Sequence, residues 1–63
     1  MSYEMSCVFK RETDAAVKIL DPASGEELWI PLSQVEEMHR GNTGLGPGTI
    51  KMTDWIAEKK GLL

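Results

Sequence analysis

Apolar and polar side chains alternate from the start of the chain. Tyr3, Met5, Cys7 and Phe9 share one parity, Glu4, Ser6 and Lys10 the other, and only Val8 breaks the polar set. A period of two marks a half-buried strand, because successive side chains point to opposite faces. Lys10–Asp14 is wholly polar and predicts a turn. The stretch AAVKIL then puts Ala15, Val17 and Ile19 on one side of a second strand, so the pair reads as a hairpin. Asp21-Pro22-Ala23-Ser24-Gly25 carries turn chemistry: proline presets φ, Asp and Ser bond the local backbone, and glycine accepts a positive φ.

A third strand is expected from about Glu27, with Leu28, Ile30 and Leu32 on one parity and Trp29, Pro31 and Ser33 on the other. Pro31 lacks an N–H, which implies an edge position, a bulge or the end of that strand. Ser33 with Glu36 has the spacing of a helical capping box. A bent strand or a single turn is preferred there, because Arg40-Gly41-Asn42 stops anything longer. Residues 41–48, dense in glycine, predict a flexible loop. TIKMT then reads as a strand with Ile50 and Met52 inward. TDWIAEKKG reads as a brief helix with Thr53 or Asp54 as cap, Lys59 and Lys60 in the last turn and Gly61 as the stop. Trp55 and Ile56 are expected to hold it against the core.

The expected fold is therefore mainly β: a small, partly open SH3-like or OB-like barrel of four to five strands with a short C-terminal helix. A three- or four-stranded sheet covered by that helix is the alternative. At 63 residues the chain is a single domain, 1–63, with a thin stability margin. A core of this size supplies only about 3–5 kcal/mol, so self-association or a partner would add needed stability.

One cysteine excludes an internal disulfide, and one cysteine with one histidine excludes a zinc site built from those ligands. No cofactor is expected. The net charge of −3 gives no long-range attraction toward phosphate. The longest apolar runs fall far short of a membrane span, and MSYEMSCVFKRE has no signal core. The expectation is a soluble, cytoplasmic protein with no membrane association.

Candidate chemistry is sparse. Ser33 has no glycine elbow and no orienting acid, and His39 is the only histidine, so a cap or turn hydroxyl is the preferred role. Cys7 lies on an apolar face as a small hydrophobe. Glu26-Glu27 and Glu36-Glu37 each send their carboxylates to opposite faces if extended. GLGPGT lacks the Lys-Ser/Thr ending of a phosphate loop. Trp29 and Trp55 are first assigned to the core. If Trp29 is exposed, it forms a partner-binding surface with Pro31 and Gln34. Lys10, Arg11 and Lys18 are the candidates for contacting single-stranded nucleic acid.

The segments KRET.AAVKI, ELWIPLSQV and MTDWIAEKKGL resemble a group of short, largely uncharacterised proteins encoded by tailed phages and prophages, over about Phe9–Leu62. The resemblance rests on Trp29, Ile30, Pro31, Ser33 and Gln34, and on Trp55, Ala57, Lys59, Lys60, Gly61 and Leu62. It implies a phage origin and an association with DNA metabolism genes, and it brings no catalytic residues. Leu32 stands where such sequences commonly carry lysine, and a glycine-rich loop replaces a more charged connection. A position that accepts lysine elsewhere should be exposed, which would turn Trp29 inward. The resulting expectation is a non-enzymatic module that binds a protein partner, a host factor among the candidates, and acts in the bacterial host cytoplasm if phage encoded; the alternative is a small barrel binding single-stranded nucleic acid in phage replication or recombination.

Overall fold

In the computed structural model, which describes residues 1–63, the first alternating stretch forms β1 (Ser2–Glu12) at the centre of the molecule. It pairs with β2 (Ala16–Asp21) on one side and β5 (Gly46–Thr53) on the other. Outside these lie β3 (Glu26–Pro31), on β2, and β4 (Val35–His39), on β5. The five antiparallel strands form one sheet that does not close, ordered β3-β2-β1-β5-β4, and a single short helix, α1 (Asp54–Lys59), follows. The expected mainly β, partly open architecture with a C-terminal helix is what forms.

The inward parity of each strand supplies the core: Cys7 and Phe9, Val17 and Ile19, Ile30, Ile50 and Met52, joined by Ile56 and Ala57 of the helix. Burying a large aliphatic or aromatic side chain stabilises by roughly 1.5–3 kcal/mol. With so few fully buried side chains, each carries a large share of the total. Tyr3, Met5, Leu28, Leu32, Val35, Met38 and Leu62 pack around this cluster while partly exposed.

Three boundaries differ from the sequence expectation. Lys10, Arg11 and Glu12 belong to β1 instead of a turn, because the turn is tightened to a shorter segment by Thr13. Its N–H donates to the Ala16 carbonyl at 2.8 Å, and the Ala16 N–H donates to its hydroxyl at 3.1 Å. The glycine-rich loop is shorter than 41–48, since Gly46, Pro47 and Gly48 pair in β5 with Phe9, Val8 and Cys7. Pro47 is tolerated there because it lies beyond His39↔Thr49, the last pairing of β4, so its nitrogen breaks no ladder on that side. Third, β3 ends at Pro31, so Leu32 and Ser33, expected on that strand, lie in a 3-10 turn, Leu32–Gln34, which leads into β4 and so joins the turn and the bent strand that the sequence offers as alternatives. No capping box forms, because Val35 is already extended at φ −91°, ψ 125° and Ser33 makes no cap bond.

Asp21–Gly25 turns as its residues suggest. Asp21 accepts from the Ala23 N–H at 3.0 Å, and Gly25 takes φ +77°. At the other end, Thr53 caps α1 by accepting from the Ile56 N–H at 3.4 Å. Gly61 N–H donates to Glu58 and Leu62 N–H to Ala57, the paired bonds of a Schellman stop, with Gly61 at φ +75°. The helix is held by Ile56 and Ala57. Trp55, expected inward, is 56% exposed, because a helix this short can press only one narrow stripe onto the sheet.

Candidate interaction surface

β3 is an edge strand with a free side. Leu32 N–H donates to the Ala15 carbonyl at 2.8 Å, immediately beyond the Ala16↔Pro31 pair. In an antiparallel ladder this makes Ala16↔Pro31 a pair without mutual hydrogen bonds, and alternation extends that to Lys18↔Trp29 and Leu20↔Glu27. Two consequences follow. The missing N–H of Pro31 faces the free edge, so the proline costs the sheet no ladder bond. The N–H and C=O groups of Glu27 and Trp29 also face that edge, unpaired with any strand of this chain.

Trp29 is 40% exposed on the outer face, and both the core assignment and its inward turn are thereby overturned. The physical reason is its neighbour: Ile30, fully buried, fits opposite Val17, and adjacent strand residues cannot both point inward. Lys18 stands directly across from Trp29, its Nζ 5.9 Å from the ring centroid and 3.1 Å from the Glu27 carboxylate.

A β-bulge extends this row. The register of β1 on β2 slips between Phe9 and Arg11, leaving Lys10 as the extra residue and pairing Arg11 with Lys18 and Glu12 with Val17. Uninterrupted alternation from Phe9 would point Arg11 inward. The bulge re-aims it, so Arg11, Lys18 and Trp29 line up across three neighbouring strands on one face. Glu12 is turned to the opposite side, where it pairs with Arg40, whose guanidinium also sits 5.8 Å from the Phe9 ring. Of the sequence-derived cationic candidates, the fold therefore joins Arg11 and Lys18 with Trp29, and Lys10 is the unpaired bulge residue beside Arg11.

Gln34 has a different setting from Trp29 and Pro31. Its side-chain carbonyl accepts from the Thr53 hydroxyl at 2.7 Å, tying the 3-10 turn to the helix cap. Trp55, on the helix surface, has Lys59 Nζ 4.9 Å from its ring.

The remaining candidates are dispersed. Ser33 lies in the turn before β4 and His39 at that strand's far end, about 13 Å further along from Val35. His39 instead contacts Glu37, Nε2 to Oε1 at 2.7 Å. The Cys7 thiol is buried in the core, and burial, followed by the nearby Asp21 carboxylate, pushes its pKa up to about 11. An unfolded thiol ionises near pH 8.5, so the folded protein binds the extra proton between the two values. The resulting stability is present below the unfolded pKa and lost as pH rises through about 11. In urea titrations at several alkaline pH values, wild type should lose stability more steeply than Cys7→Ala; parallel declines would refute this.

No family model, curated protein or solved structure matches this chain.

Proposed function

We propose that this chain is a non-enzymatic interaction module, encoded by a phage or prophage, that binds a protein partner through the free edge of β3 beside Trp29 and Pro31. The observation that carries the reading is an exposed tryptophan on an edge strand whose own backbone groups are unpaired. An extended partner segment can add to such an edge, its main chain bonding Glu27 and Trp29 and its side chains meeting the indole. Pro31 limits the added strand, because pairing beyond it finds no donor. A bacterial host factor is the class of partner that the phage resemblance favours.

The test is a photo-reactive residue in place of Glu27, activated in bacterial cells. The expected result is a discrete crosslinked protein that disappears when Trp29→Ala is added. An unchanged crosslinking pattern in the Trp29→Ala background would remove the proposed surface.

A further inference from the structure

We infer that the outer face of β1–β3 binds single-stranded nucleic acid along the row Arg11, Lys18 and Trp29. This goes beyond the edge contact above: an added strand bonds the backbone in the plane of the sheet, whereas a nucleic acid would use the side chains on its face, with the Trp29 indole common to both and Arg11 and Lys18 particular to this one. Three features point to this occupant. First, the row combines an exposed aromatic face with cations, the pairing that stacks a base and neutralises its phosphates. Second, neighbouring strands lie about 4.8 Å apart, so the row spans about 10 Å, enough to seat a base on the indole and flanking phosphates on Lys18 and Arg11.

Third, the local charge differs from that of the whole chain. The bulge places Arg11 on this face while sending Glu12 to the other, where Arg40 neutralises it. Arg11 has no carboxylate partner, and its planar guanidinium suits a phosphate. Lys18 is shared between Glu27 and Trp29, but an exposed ion pair is worth about 1 kcal/mol or less, so a phosphate can displace Glu27. The net charge of −3 removes long-range steering, so binding is weak and short-ranged.

The experiment uses the full chain, a labelled oligothymidine and fluorescence anisotropy. Neutralising two phosphates of a single strand predicts a log–log salt slope of about −1.4, so affinity should fall roughly sevenfold between about 50 mM and about 200 mM salt. In Trp55→Phe, where Trp29 is the remaining tryptophan, the oligonucleotide should quench the emission. Arg11→Gln/Lys18→Gln should weaken binding at least about tenfold at low salt, with its circular dichroism melt showing that it is folded. Lys59→Gln/Lys60→Gln, away from the row, should bind as wild type does. Absence of binding at low salt overturns the inference. So does equal binding by the Arg11/Lys18 variant, or equal loss in the Lys59/Lys60 variant. A photo-crosslinker at Lys10 that captures protein and no nucleic acid in cells would likewise assign this face to a protein ligand.

Discussion

Gly48→Ala is expected to abolish cooperative folding or lower the melting temperature by more than about 12 °C. A Cβ at this position would lie 2.2 Å from the His39 carbonyl oxygen and 2.9 Å from Phe9 Cε2. Neither neighbour can yield cheaply. The carbonyl belongs to β4, which would have to leave its ladder with β5, and the Phe9 ring is pinned in the core. Overpacking of this kind costs about 3 kcal/mol, most of what a core of this size supplies. In a domain of 60–100 residues each kcal/mol corresponds to roughly 4–8 °C. The comparison is Gly44→Ala, where the added carbon meets nothing within 4 Å and only the positive φ of +77° resists. That change should cost about 1 kcal/mol. Thermal melts followed by circular dichroism separate the two, and a Gly48→Ala protein melting within a few degrees of wild type would disprove the close approach of β4 and β5.

Ile30→Ala is expected to destabilise by about 2–5 kcal/mol, enough to leave much of the protein unfolded. Its side chain is fully buried and faces Val17, itself 1% exposed. The adjacent change, Trp29→Ala, removes a much larger side chain yet should cost under about 1 kcal/mol, because the indole lies on the exposed face. Urea denaturation of both variants reads the parity of β3 directly. Were Trp29→Ala the more damaging, the assignment of Trp29 to the outer face would be wrong, and with it both binding proposals.

Much of the fold was legible from alternation and turn chemistry. Tyr3 to Phe9, Val17 and Ile19, and Ile50 and Met52 place themselves on an inner face by parity alone. Asp21–Gly25 and Thr53–Gly61 announce a turn and a capped helix through residues whose conformational demands are local. The misjudged elements share a different property. Lys10–Glu12 are polar, yet they remain in β1 because β2 is there to receive them. Gly46–Gly48 are poor strand formers, yet β1 pairs with them and Phe9 needs the space that Gly48 leaves. Trp29 and Trp55 are the largest side chains present and by size alone belong inside, but the interior is already filled by Ile30 and Ile56.

The candidate surface was less legible. Trp29, Pro31, Arg11 and Lys18 stood out individually for their chemistry, and Pro31 correctly marked an edge or strand end. Their grouping depends on a bulge that reverses parity after Phe9, and nothing in Phe9-Lys10-Arg11 signals it. Gln34, grouped with Trp29 by sequence proximity, turns instead to Thr53.

By itself, then, the sequence determined the alternating centres of the strands, the Asp21–Gly25 turn and the helix cap, since these depend on side-chain periodicity and on backbone preferences within a few residues. Only the tertiary structure decided which face Trp29 occupies, where Arg11 points and why Gly48 must lack a side chain. Those outcomes depend on cross-strand register and on competition for a small interior, and both are set by residues distant in the chain.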